Sequence, residues 1–426
     1  MSSVAVQDNV TELPQKSPYR PETALTVKDA HNVFVAMPLL ETLYKNAAWL
    51  KEAHSDNISM LSSFGLPGPK LERFKYTNIM PQVKKITARY SPAELTIEGA
   101  KEYITPLADI LVNADEAMKD LVTDVPKNWT RYEDTSLIYM AHAFVNDGYY
   151  IRIPKGQSVD LPIELLIKLT EDGICAPRLI IELEQSAELT LIERHEGQAG
   201  AWNNAYTQIR LGANAKLKHY RIQQYGSEIL YTQNTHVSME RDSSYEAFTL
   251  VLGAGVSRNQ IHTELKGENI ECHLNGINLL KGSQHADSTF TMEHQAPHGH
   301  SNQFVRSVLD DQSRCVYQGK VHVFKPAQKT DAYQLSNTLL LSEGAEMDTK
   351  PELEIYADDV SCSHGTTTGQ LDEDPMFYLR SRGIGADEAR ALLITAFIGE
   401  VLEKITCEEF YEECEDRVEQ WLKQQV

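Results

Sequence analysis

Two short stretches of this chain gather side chains able to hold a soft or borderline metal. The first is Cys362-Ser-His364, which follows the acidic pair Asp358-Asp359 and ends a strand-like run. On an extended backbone, residues two apart point to the same side, so the Cys362 thiolate and the His364 imidazole can approach one iron or one iron–sulfur species. Two ligands do not complete a tetrahedral site, and the plainer alternative is an inward-packed cysteine beside a histidine bonded to backbone. The second stretch is Glu293-His294 with His298 and His300, in a segment containing Pro297 and Gly299. Its three imidazoles suit a divalent metal, although a solvated polar loop is the commoner outcome of such a composition.

The remaining cysteines carry less chemistry. Six are spread over the chain, at 175, 272, 315, 362, 407 and 414, with no CxxC pair. They read as free thiols in a reducing compartment rather than as a disulfide framework. Cys407 and Cys414 fall on the apolar stripe of a C-terminal helix, where core packing or a partner surface explains them.

Several reaction classes lack their residues. No GxxxxGK[ST] occurs, so the chain has no phosphate-cradling loop, and any energy from ATP must come through a partner. Gly253-Ala-Gly255 opens like a dinucleotide fingerprint, but Arg258 replaces the third glycine and NQIHTEL then reads as strand. Neither GxSxG nor HExxH is present, and no Cys/His spacing fits structural zinc. A formal net charge of -21 opposes phosphate backbones and anionic lipid, which argues against nucleic-acid and membrane partners. The first residues lack the basic start and apolar run of a signal peptide, and no segment reaches the roughly 18–20 apolar residues of a membrane span. The expected compartment is the cytoplasm.

The elements that must position the candidate residues fall into three blocks: 1–130 mainly helical, 131–372 β, and 373–426 helical. Residues 1–20 read as a polar tail. Leu39, Leu43, Ala47 and Leu50 have helical spacing within His31–Ala53, and Leu107, Ile110, Leu111 and Ala114 share one side of a helix predicted over Tyr103–Val122. Between them, GLPGPKLERFKYTNI (65–79) forces a turn before an aromatic and basic segment. From about Tyr149 the period becomes two, as in Arg178-Leu-Ile-Ile-Glu-Leu-Glu and Lys216-Leu-Lys-His-Tyr-Arg-Ile.

Short polar elements such as Gln185-Ser-Ala, Gly212-Ala-Asn-Ala, Asp242-Ser-Ser and Gly267-Glu-Asn introduce many of these strands. Most recur about every 25 to 32 residues, which suits the coils of a β-helix, with a β-sandwich as the alternative; Gly282-Ser-Gln arrives early and breaks the period. After Asp374-Pro375 the helical period returns. Ala389, Leu393, Phe397, Val401 and Ile405 lie four apart, and Cys407, Tyr411, Cys414, Val418 and Trp421 form a second stripe.

The block Ser336–Arg390 resembles the C-terminal core of the SufB/SufD proteins of iron–sulfur cluster assembly. The likeness lies in the Lys350-Pro-Glu-Leu-Glu-Ile run, the Asp359-Val-x-Cys-Ser-His-Gly turn and Phe377-Tyr-Leu-x-Ser-Arg-Gly. GLPGPKLERFKYTNI is similar to the family's N-terminal motif, with Glu72, Lys75, Tyr76 and Thr77 matching and Phe74 where tryptophan is frequent. The SufB branch carries a cluster-building cysteine where this chain reads Gln334-Leu-Ser336-Asn337, and the turn here is CSHG, as in the SufD branch.

The resemblance implies a right-handed parallel β-helix between N- and C-terminal helical domains, in a non-catalytic scaffold. It implies a SufB partner docking through the β-helix, and a SufC ATPase on the C-terminal helices, for which Tyr411, Cys414, Val418 and Trp421 are the expected contacts. Cys362 and His364 would face a transient iron or iron–sulfur cluster shared with SufB, with no cofactor held tightly by the isolated chain. The same residues leave open a homodimer when the chain is alone. Other readings are a SufB-like scaffold working as such a dimer and a stand-alone β-helical enzyme acting on carbohydrate.

Overall fold

The computed structural model describes residues 44–45, 47–123, 125, 135–144 and 147–424. The predicted tail, Leu39, Leu43 and the expected domain boundary at 130/131 lie outside the described residues. Ala47 and Leu50 are buried at the start of a helix, Ala48–Phe64.

The β block is a β-solenoid of about eight turns. Each coil gives one strand to a nine-stranded sheet, which ends in His300–Leu309, Asp331–Leu340 and Ser361–Gly369. The other strand goes to a ten-stranded sheet, which ends in His285–His294, Arg314–Val323 and Glu346–Ile355. Neighbouring coils pair in parallel and in register. Alternation sends one set of side chains into the lumen, where Ile151, Leu165, Ile181, Leu191, Ile209, Val237, Ile261, Phe290 and Met292 share one core. Burying each such side chain contributes about 1.5–3 kcal/mol relative to exposure.

The irregular repeat has a geometric origin. One corner of the coil needs a left-handed residue, and Ser186, Asn214, Asp242, Asn269, His298 and Lys329 supply it with φ of 56 to 61°. The N–H of each bonds to the corresponding turn of the next coil, as in Ser186 to Ala213 O and Asn214 to Arg241 O. Gly282 and Asp311 sit at a different corner, before strands of the ten-stranded sheet, which is why Gly282 falls out of phase. Asn and Asp tolerate this conformation better than most residues.

Two expectations need correction. The predicted Tyr103–Val122 helix is a short strand, Ile104–Pro106, and two helices, Leu107–Asn113 and Glu116–Thr123; Ala114 is extended and Asp115 accepts the Met118 N–H at 2.8 Å. Glu94–Glu98 is also a strand, antiparallel to Ile163–Leu169, while Ile104–Pro106 is antiparallel to Gly148–Ile153. These two strands close the N-terminal end of both sheets.

Outside the solenoid, each sheet is covered from a different end of the chain. Residues 65–86 lie on the ten-stranded sheet. There Phe74 is fully buried beneath the Arg258 guanidinium (4.1 Å to the ring centroid), Thr77 bonds to Asp287, and Glu72 pairs with Lys350 at 2.7 Å. Of the C-terminal helices Glu373–Ser381, Ala386–Leu402 and Glu408–Lys423, the last two cover the nine-stranded sheet and the first has no buried residue. In Ala386–Leu402 the inward residues are Ala389, Ile394, Ile398, Val401 and Leu402. Ala389, Val401 and Ile405 of the predicted stripe are buried as expected, while Ile394 and Ile398 take the innermost positions beside Leu393 and a partly buried Phe397, because a helix turns every 3.6 residues and a spacing of four drifts off the face.

Candidate functional site

At the far end of the solenoid, the last coil leaves an uncovered edge on both sheets. Among the described residues no strand pairs with the outer edge of Glu346–Ile355 or of Ser361–Gly369. Ala332, Gln334, Ser336 and Thr338 are buried on the interior side of the strand beneath, and in register above them stand Cys362, His364, Thr366 and Thr368. Strand geometry thus brings the thiol and the imidazole to one side of the rim, as their spacing implied.

Cys362 is half-buried against Val321, Val323, Ala327, Ala332 and Ala357, and burial, helped by the Asp331 charge, pushes its thiol pKa up. His364 is exposed. Gln334 is buried beneath it, and neither its amide nor the Ser336 and Thr338 hydroxyls have a hydrogen-bond partner among the described residues. Around this rim Tyr333 and Ile355 are each 39% exposed and Tyr356 is 61% exposed. Asp359 does not join the pair: it closes the corner, bonding to Gln328 and pairing with Lys329.

The second predicted cluster is taken apart by the fold. His294 is buried, its Nε2 2.8 Å from the Ser301 hydroxyl, and burial, with the His300 charge, lowers its pKa to about 4. His298 occupies the left-handed corner, and His300 is exposed 3.8 Å from Asp331. The three imidazoles do not converge. Of the other cysteines, Cys272 and Cys315 lie in the solenoid, where burial raises each pKa to about 12, and buried Cys175 is raised further.

The C-terminal stripe is used within the chain. Cys414, Val418 and Trp421 pack in one core with Ile192, Tyr220, Ile222 and Phe248, and Phe410, a residue outside the predicted stripe, stacks on Tyr220 at 5.0 Å. Arg194 bonds Glu413 at 2.8 Å and fixes the helix further. Tyr411 is half-buried and donates to Glu415. Three of the four expected partner contacts are therefore shielded, since an amphipathic helix with an apolar sheet beside it buries its stripe there. The exposed apolar side chains of this region are instead Phe377 at 75%, Tyr378 at 57% and Leu392 at 47%. Leu371, Glu373, Met376, Phe377, Arg380 and Ser381 line an open groove of about 700 Å³ there.

Among the described residues the chain is thus a long, mainly parallel β-solenoid with helices before and after it and a bare outer edge on each sheet at its C-terminal end. The family model described as SUF system FeS cluster assembly, SufBD core domain, matches residues 166–397. Over 375 residues the chain is 28% identical to the iron-sulfur cluster assembly protein SufD of Escherichia coli, covering 82% of this chain and 88% of that protein. It is 35% identical over 276 residues to an iron-sulfur cluster assembly SufBD family protein of Synechocystis, covering 62% of this chain and 61% of the relative. It is 32% identical over 286 residues to Protein ABCI7, chloroplastic, of Arabidopsis thaliana, covering 64% and 60%. The match thus spans about three fifths of the last two relatives. The chain belongs to the SufB/SufD family of the SUF iron–sulfur assembly system and within it is SufD-like. No helix among the described residues is long and apolar enough to cross a membrane.

Proposed function

We propose that this chain is a non-catalytic, cytoplasmic scaffold subunit for iron–sulfur cluster assembly, and that its uncovered rim docks a SufB-type subunit. The nascent cluster is cargo held between the two, with His364 and Cys362 contributed from this side. The observation that carries the reading is the coincidence, at one end of the solenoid, of bare strand edges, exposed Tyr333, Ile355 and Tyr356, and the Cys362–His364 pair. Bare edges are templates for strand pairing, and a neutral imidazole is a competent iron ligand. A SufC-type ATPase would supply the energy by docking on the exposed face around Phe377, Tyr378 and Leu392, since the inner stripe is occupied.

The test is His364→Ala in a strain that depends on the SUF pathway, scored beside the yield of purified complex. The variant should fold and assemble, at a stability cost of about 1 kcal/mol or less for an exposed site, yet fail to support growth. Cys362→Ser should be milder. Full growth with His364→Ala removes that residue from the site, and loss of the complex makes its role structural.

A further inference from the structure

The outer face of the ten-stranded sheet holds a cluster that the rim does not use. Along Val256–Leu265, Ile261 and Leu265 enter the lumen core, so His262 and Glu264 point the other way; in the next strand Glu293 does the same beside inward-facing Met292. Register sets Glu264 directly opposite Glu293, and His262 one step along the same pair of strands. One ligand atom from each of the three lies within 4.8 Å of the others, and all three residues are buried. His236 and His322 occupy the flanking positions, opposite His262 and Glu293.

One distance within the trio suits a shared ion. His262 Nε2 stands 3.5 Å from Glu293 Oε1, long for a hydrogen bond but close to the edge of a tetrahedron with metal–ligand bonds of about 2.1 Å, roughly 3.4 Å. The second Glu293 oxygen is taken by the Gln295 amide at 3.2 Å, which orients the carboxylate. His236 Nε2 lies 3.1 Å from Glu264 Oε2, a hydrogen bond that orients this second carboxylate from outside the three-residue group. Lys266 Nζ also lies 3.0 Å from Glu264 Oε2, a competing cation on a partly exposed side chain that an incoming ion would displace.

We propose that His262, Glu264 and Glu293 form a buried site for a divalent first-row transition cation, separate from the rim. The site lies on the other sheet, two strands back from its open edge. Imidazole and carboxylate donors without a thiolate favour ions such as Fe(II), Mn(II) or Zn(II) over a preformed sulfide cluster.

The probe is cobalt(II), titrated anaerobically into the purified, chelator-treated full chain and read by its visible d–d bands. One equivalent should saturate the wild type and a Cys362→Ser/His364→Ala variant alike. Glu264→Gln and Glu293→Gln, isosteric changes whose folding is checked by melting temperature, should each weaken binding about tenfold or more. If Glu293→Gln does not fold, Glu264→Gln decides. Absence of saturable bands in the wild type, or binding unchanged by the glutamate variants, overturns the proposal. So does a sulfur-to-cobalt charge-transfer band that disappears with Cys362. The rim reading is judged by the growth assay of His364→Ala, which does not depend on the glutamate variants, so the two sites fail or stand separately.

Discussion

The two ends of the solenoid are built from the same parallel strands and finish in opposite ways. At the N-terminal end Glu94–Glu98 and Ile104–Pro106 turn antiparallel and satisfy the outermost strand of each sheet. At the C-terminal end Glu346–Ile355 and Ser361–Gly369 pair on one side only among the described residues, and most residues of the latter are exposed. A long uncovered edge invites aggregation unless something covers it, which is the physical ground for the partner proposed at the end bearing Cys362 and His364. The covered end is made by local chain reversal; on the proposed reading the open one is covered by a second molecule.

The largest effect should come from removing the cover of a sheet rather than of an edge. Deleting residues 376–426 would expose Ile192, Tyr220, Ile222, Phe248, Leu250 and Phe304, and the truncated chain should be insoluble. A soluble truncation with an unchanged melting temperature would show that the nine-stranded sheet needs no cover at all. Next, Phe290→Ala inside a middle coil should cost roughly 3–5 kcal/mol in urea unfolding, against about 1 kcal/mol or less for His364→Ala at the rim. Equal costs would erase the distinction between packed coils and open end.

Acid should then act on the packed interior through His294. Its folded pKa, about 4, lies below the ordinary 6.5, so the unfolded chain takes up the proton first as pH falls. The stability it contributes is complete above about pH 6.5 and is lost toward pH 4, on the order of 3 kcal/mol in all. His294→Gln should flatten that part of the pH–stability curve measured by urea titration; an identical slope in the variant would remove His294 as the cause. The smallest change in the monomer is expected for Ile355→Lys, on the open edge. Its stability should stay within about 0.5 kcal/mol of wild type, while its affinity for a SufB-type partner, measured by calorimetry, should fall. Unchanged affinity would take the partner off this edge.

How much of this was legible in the chain depends on the range of the interaction involved. A period of two over more than 200 residues, recurring corner residues and a returning helical period announced strands, coils and C-terminal helices, because those patterns are local. The Cys362-x-His364 spacing likewise placed both groups on one side of a strand before any partner strand was known. The same local logic failed where a neighbour decides. Trp421 and Val418 look like a free docking stripe until the apolar outer face of the nine-stranded sheet lies against them. His294, His298 and His300 look like one cluster until a corner turns between them.

Glu264 and Glu293 are 29 positions apart, and Gln334 and His364 are 30 apart. Only the register of the stacked coils makes each a facing pair. The chain alone thus determined which residues could be strand, helix and ligand. Which of them meet, which are covered and which edge stays bare followed from cross-strand register and burial, quantities that depend on every coil at once and that no short window of residues contains.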